Sequence, residues 1–353
     1  MHPFGKQSNR RSFVKKGVLA AGIGSLGVGL LPALGQESET SSLTRGDAAI
    51  LQLLLAAEII ETDLWQQYNE LGGAAATGGP SQNYITALQQ LDGDMPQYIS
   101  DNTDDETSHV AFLSAYLKSK GHTPVNFDKF RTLPSSAAPG AHKIGRLTNL
   151  MQLSVDTSWW TRYRSKENPD LGATFPQAIP SLNVGQHPAI PTSQADLNDA
   201  NHIQAIANTA GFHFGFIEQA GTSLYATLSQ RVSSREVLRI TISIGGSEIM
   251  HFQVWHDKAG NAVPLTDGSL EFPNLAVGQP ESLQANLIMP EPCDFIKGLP
   301  ECSIIRPTGA GQIDAVGAIQ GFITDGLFIG QSQQFVQLLL HLANDADEAR
   351  AER

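Results

Sequence analysis

Four long segments of this chain carry helical apolar periodicity, and in each one an acid interrupts the stripe that should face a core. In steps of three or four residues the stripes are Leu51, Leu55, Glu58, Thr62, Trp65; then Asn102, Glu106, His109, Leu113, Tyr116. The third is Gly211, Phe214, Glu218, Gly221, Tyr225, and the fourth Thr241, Ile244, Glu248, His251, Trp255. An unpaired carboxylate in a core costs several kcal/mol or shifts its pKa until it is neutral. Four such acids and two imidazoles turned into one interior therefore require compensation. Two divalent cations would match the charge of four carboxylates, with each histidine adding a neutral nitrogen.

The stripes fall in a definite order: a lone Glu58, then Glu106-x-x-His109, then a lone Glu218, then Glu248-x-x-His251. Residues three apart on a helix share a face, so each Glu-x-x-His presents both groups together. The expected helices span about 47–69, 84–120, 197–230 and 233–258, with Gly93 and Pro96 marking a kink or break in the second. Ser233 or Ser234 is expected to cap the fourth, and Asp199 to cap the third. An insertion, 121–196, is Pro-rich at both ends and is expected to hold one helix within 142–165, where the Ser158–Tyr163 aromatics serve packing. Residues 259–353 form an extension with short strands and a last helical segment from about 332. Two helix pairs joined by a long crossover is one of the few wirings of a four-helix bundle.

This order of ligand-type residues resembles the ferritin-like family of di-iron and di-manganese carboxylate proteins, over about residues 47–120 and 199–258. The resemblance implies a mostly α fold: a ferritin-like four-helix bundle with a long crossover between its second and third helices. It also implies two divalent metal ions, Fe or Mn, held by Glu58, Glu106, His109, Glu218, Glu248 and His251. Glu61, one turn after Glu58 and equally near apolar neighbours, is an alternative or additional ligand. Trp65 and Tyr225, each seven residues after a lone Glu, fit the family habit. The implied activity is redox chemistry on O2 or peroxide, as a ferroxidase or a manganese-catalase-like enzyme in stress protection. The chain is also similar to desiccation-related ferritin-like proteins, which leaves a structural or binding role with an inert or absent metal as the alternative. A homo-oligomer is compatible with the resemblance, although the crossover is longer and richer in proline than that of a cage-forming ferritin.

The N-terminus carries Lys6, Arg10, Arg11, Lys15 and Lys16, no acid through residue 35, a Gly- and Ala-rich apolar run, and a small-x-small end at Ala33-Leu34-Gly35. Asn9 to Lys15 resembles the twin-arginine export signal, so residues 1–35 are expected to be a cleaved signal and 36–46 a linker, placing the protein in the periplasm or outside the cell. The alternative is a retained membrane anchor. Loss of five of the 23 basic residues and none of the 35 acidic ones makes the remainder more acidic than the full chain's −12. Such a surface disfavours nucleic acid and anionic membrane. The two cysteines, Cys293 and Cys302, exclude thiolate zinc and iron–sulfur sites; they are a candidate disulfide, with two free thiols as the alternative. His213 and His256 fall off the ligand stripes and are expected beside the ligands or on the surface; Asp199-Ala-Asn-His202 mimics the Glu-x-x-His spacing but sits at a helix start, where capping is expected. Asp101, Asp104 and Asp105 are expected on a solvated acidic face, with a metal access path as the alternative.

Overall fold

The computed structural model describes residues 42–165, 175–275, 279–280, 283–285, 288, 290–304 and 314–349. The signal expected at 1–35, and most of the linker after it, lies outside the described residues. The described chain is mostly helical. In order its helices are α1 (Arg45–Gly72), α2 (Gln82–Leu88), α3 (Met95–Ser119), α4 (Ser158–Arg162), α5 (Gln194–Leu197), α6 (Ala200–Ser229), α7 (Arg235–Ala259), α8 (Ala315–Thr324) and α9 (Gln333–Glu348). Two small antiparallel ribbons, β1 (Leu265–Asp267) with β2 (Leu270–Phe272) and β3 (Pro292–Cys293) with β4 (Cys302–Ser303), follow α7.

Helices α1, α3, α6 and α7 form the bundle. Side-chain contacts give their directions: Gln52 at the start of α1 bonds the chain just after α3, while Asn69 near its end bonds Ser100 early in α3. Helices α1 and α3 therefore run antiparallel. So do α6 and α7, joined by Ser229–Thr241 at one end and by Gly211 against Ala259 at the other. The diagonal α1 and α7 share a direction, and the buried Asp47 of α1 accepts from Ser233 and Ser234 N–H at 2.7 and 3.0 Å. That carboxylate satisfies amides beside the N-terminus of α7, where Ser234 is the cap and a negative charge is favourable.

The second helical region, expected over 84–120 with a kink or break at Gly93 and Pro96, is broken into two helices, α2 and α3. Gly93 lies in the break and Pro96 occupies the first turn of α3, where its missing N–H costs no helical bond. The helix expected within 142–165 is reduced to the five residues of α4. The amides before it find tertiary partners instead: Leu147 and Thr148 N–H donate to Asp63, Asn149 N–H to the Leu327 carbonyl, and Leu153 pairs with His187. Trp159 and Trp160 are fully buried, Trp159 filling the space that a side chain at Gly215 would occupy: a Cβ there would meet its ring at 2.5 Å.

The extension after α7 packs back on the bundle. Phe335 of α9 meets Phe127 and Phe130 of the crossover, and Phe322 of α8 meets Phe216 of α6. Asp347 accepts from the Ala315 and Val316 N–H groups of α8 and pairs with Arg231. Helix α8 was absent from the sequence reading because "AVGAIQGFIT" has two glycines and no polar face, hence no helical alternation. The candidate disulfide is not formed. Cys293 and Cys302 sit directly opposite across the β3–β4 ladder, yet both are free thiols, the first buried and the second exposed.

One buried acid ties the crossover to the bundle. Asp63 accepts from Arg131 at 2.6 Å and, through its other oxygen, from Leu147 N–H, Thr148 N–H, Thr148 Oγ1 and Gln67. Asp63→Ala would strand those donors, so urea unfolding should show a loss of about 3 kcal/mol. Asp63→Asn, which keeps an acceptor, should lose less; equal losses would show that the carboxylate charge, not the acceptor alone, carries the tie.

Candidate metal centre

The six residues singled out on the four stripes converge in the bundle interior. Ligand-type atoms of Glu58, Glu106, His109 and Glu248 lie within 4.8 Å of one another, as do those of Glu106, Glu218, Glu248 and His251. Glu106 and Glu248 belong to both groups. The four glutamates are fully buried, at 0% exposure.

The imidazoles face inward through Nδ1. His109 Nδ1 is 3.2 Å from Glu58, 3.1 Å from Glu106 and 3.5 Å from Glu248. His251 Nδ1 is 3.1 Å from Glu106 and 3.2 Å from Glu218. Glu106 thus turns Oε2 to His109 and Oε1 to His251, spanning the two groups. The two rings lie 6.4 Å apart along the seam between α3 and α7, each side chain slightly exposed.

Neighbouring side chains fix the carboxylates. Asn102 donates to Glu106 Oε1 at 2.8 Å and Glu218 Oε1 at 2.9 Å, and accepts from Trp255 Nε1 at 2.7 Å. The Tyr225 hydroxyl donates a short hydrogen bond to Glu58 Oε1. Trp65 makes no such bond; it stacks on Trp255 and Phe214. Gly221 leaves room for acids from two helices: a Cβ there would meet Glu248 Oε2 at 2.6 Å and Glu61 Oε1 at 3.4 Å. Glu61 is therefore a fifth carboxylate at the centre, alongside Glu58 rather than in place of it.

The electrostatics show an interior short of positive charge. Burial, then repulsion from Glu218, pushes Glu106 up to about 7. Burial followed by repulsion from Glu106 raises both Glu61 and Glu248 well above the ordinary carboxylate range. Burial alone would lower the histidines, but hydrogen bonds to Glu106 and Glu58 and their charges carry His109 up to about 10. His251 is raised too, by Glu218 and by hydrogen bonds to Asp105, Glu106 and Glu218 against the effect of burial. Both oxygens of Glu248 lack a hydrogen-bond partner, and among the described residues no Lys or Arg pairs with any of these acids. Oxygen-rich groups completed by one imidazole each, with orphaned acceptors between them, suit hard or borderline divalent cations. The donor set could hold metal ions.

A model of the ferritin-like domain matches residues 46–261. The chain belongs to the ferritin-like family. No curated protein and no solved structure matches it significantly.

Other polar residues fall outside this ferritin-like centre. His213 bonds the Tyr68 hydroxyl at 2.7 Å and His256 stacks on Trp160 beside Arg164; both are buried, and burial lowers each to about 3. Asp199 caps α6, and His202 pairs with Asp267. Asp105, expected on a solvated acidic face or a metal access path, is part-exposed, and its carboxylate also lies 3.3 Å from His251 Nε2. Apolar periodicity gives no sign of Ser247, whose hydroxyl lies 3.2 Å from His109 Nε2. The available signal was position: each immediately precedes the Glu of a Glu-x-x-His.

These shifts give the metal-free protein a definite pH dependence. Glu106, raised from 4.5 to about 7, and His109, raised from 6.5 to about 10, both bind protons more tightly in the folded state. The stability each adds is full below its unfolded pKa and lost as pH rises through its folded one. Calorimetry on metal-stripped protein should therefore show a melting temperature falling from pH 5 to 8. Mn2+ should oppose the fall, because a cation competes with those protons. A metal-free melting temperature that climbs over this range would contradict the assignment.

Proposed function

We propose that this ferritin-like protein is an exported metalloprotein that holds two divalent cations, Fe or Mn, and carries out redox chemistry on O2 or peroxide. The observation that carries the reading is the pair of overlapping ligand groups sharing Glu106 and Glu248. Glu58 and His109 complete one group, Glu218 and His251 the other, and Glu61 adds a carboxylate beside Glu248. When bound, a pair of such cations supplies paired one-electron changes to a small oxidant.

The chain's own residues orient, exclude and hold protons. Asn102 and Tyr225 fix Glu106, Glu218 and Glu58 by donating to them, so these carboxylates keep their lone pairs aimed inward. Without a cation, burial favours a proton on Glu61 and Glu248, and a cation bound at Glu248 would displace it. The Trp65–Trp255–Phe214 packing closes one end of the interior to water. Cavities of about 590 and 610 Å3 lie elsewhere on the protein, and neither is lined by a residue of the centre. With both histidine side chains only slightly exposed, the arrangement favours a substrate the size of O2 or hydrogen peroxide.

Export rests on the N-terminal Arg10-Arg11 pair and the apolar run after it. Among the described residues, no helix is long and apolar enough to cross a membrane.

Elemental analysis of natively produced protein should find about two Fe or Mn per chain, with most of the metal lost in Glu106→Ala/Glu248→Ala. O2 release from peroxide and oxidation of Fe2+ then distinguish catalase-like from ferroxidase activity. A wild-type protein isolated without metal, and unable to take any up, would overturn the reading. For export, Arg10→Lys/Arg11→Lys should leave uncleaved protein in the cytoplasm; unchanged processing would remove the twin-arginine assignment.

A further inference from the structure

The two ligand groups are built from matching motifs, but the residues behind them differ. In Asp105-Glu106-x-x-His109 and Ser247-Glu248-x-x-His251, the residue before each Glu reaches across the α3–α7 seam to the histidine of the other motif. Asp105 meets His251 Nε2 at 3.3 Å, and Ser247 Oγ meets His109 Nε2 at 3.2 Å. One outer partner is thus a carboxylate and the other a hydroxyl.

The hydrogen bonding sets both tautomers. Ser247 Oγ donates its proton to the Ile244 carbonyl at 2.7 Å, so toward His109 it can only accept. His109 must then carry a proton on Nε2, and His251 must do so to meet Asp105. Once a cation displaces the Nδ1 proton, each ring offers Nδ1 to the interior, but with unequal strength. A carboxylate accepting the outer N–H makes the opposite nitrogen a stronger donor than a neutral hydroxyl does.

The partners deeper in the centre differ in kind as well. Asn102, four residues before Glu106, donates to Glu218 and Glu106; its counterpart four residues before Glu248 is Ile244, which offers no hydrogen bond. On the other side Tyr225 donates to Glu58, whereas the indole nitrogen of its counterpart Trp65 has no hydrogen-bond partner. Both donors fix a carboxylate by bonding one of its oxygens, so the difference between the two positions comes from Asp105 and Ser247.

We propose that the two positions are unequal: the Glu218–His251 position, backed by Asp105, binds a divalent cation more tightly, and the Glu58–His109 position, backed by Ser247, binds the weaker, exchangeable one. Asp105 and Ser247 act as positioning residues that set this difference. The inference rests on the metal-binding reading above, and it assigns one cation as resident and the other as the one that turns over.

Calorimetric titration of the metal-stripped full chain with Mn2+ tests it. Wild type should bind in two steps whose dissociation constants differ roughly 10- to 100-fold, the span that such outer partners control. Asp105→Ser should weaken the tighter step by about that factor and draw the two together. Ser247→Asp should strengthen the weaker step and draw them together from the other side. Asp105→Asn and Ser247→Ala, which alter less, guard against misfolding and should move the same steps in the weakening direction. Two equal steps in wild type, or steps that none of the variants shifts, would overturn the inequality while leaving metal binding intact. No Mn2+ uptake at all would overturn both readings.

Discussion

Five carboxylates in one helical interior repel one another, and much of the surrounding structure answers that repulsion. Glu58, Glu61, Glu106, Glu218 and Glu248 are buried with no Lys or Arg partner among the described residues. The interior supplies two imidazoles, an amide and a phenol, all oriented to donate or to take a positive charge. Neutral hydrogen bonds of this kind return only about 1 kcal/mol each, too little to offset several buried charges. What remains is met by protons on the acids and histidines or by a cation, and these compete for the same lone pairs.

Covering is as uneven as charge. Helices α1 and α6 are buried along nearly their whole length, beneath the crossover and the α8–α9 extension, whereas α3 and α7 keep an exposed outer face. The seam of the centre that nears solvent is therefore the one between α3 and α7, which carry the two Glu-x-x-His motifs. It is bridged at its ends by Tyr116 and Lys120 with Glu236, and by Lys258 with Asp92. Between those bridges lie Asp105–His251 and Ser247–His109. Among the described residues, the crossover and the C-terminal extension cover α1 and α6 and leave the α3–α7 seam nearest solvent.

The bundle and its inward acids were legible because they obey one local rule, the 3.6-residue period, and violate it only at polar positions. Glu61 remained ambiguous for the same reason: positions three apart on α1 both face inward, and only Gly221 on α6 shows that the space admits both. The crossover was misread because its amides are satisfied by distant groups such as Asp63 and Leu327, which no local pattern reveals. Asp105 is the opposite case. A half-exposed acid beside Asp104 has the local appearance of a solvated face, and its role exists only through a histidine 146 residues away.

The halves of the chain are quasi-repeats in their ligand types and have diverged in everything that touches those ligands. Trp65 faces Tyr225 across the repeat, Asn102 faces Ile244, and Asp105 faces Ser247. The pattern Glu, Glu-x-x-His is nearly indifferent to such changes, because any of these side chains fits a helical stripe. The electrostatics are not indifferent, since each exchange adds or removes a charge or a hydrogen bond within reach of a buried carboxylate or imidazole. In a centre where lone pairs outnumber compensating charges, the neighbours rather than the ligands decide which half holds a positive charge more firmly.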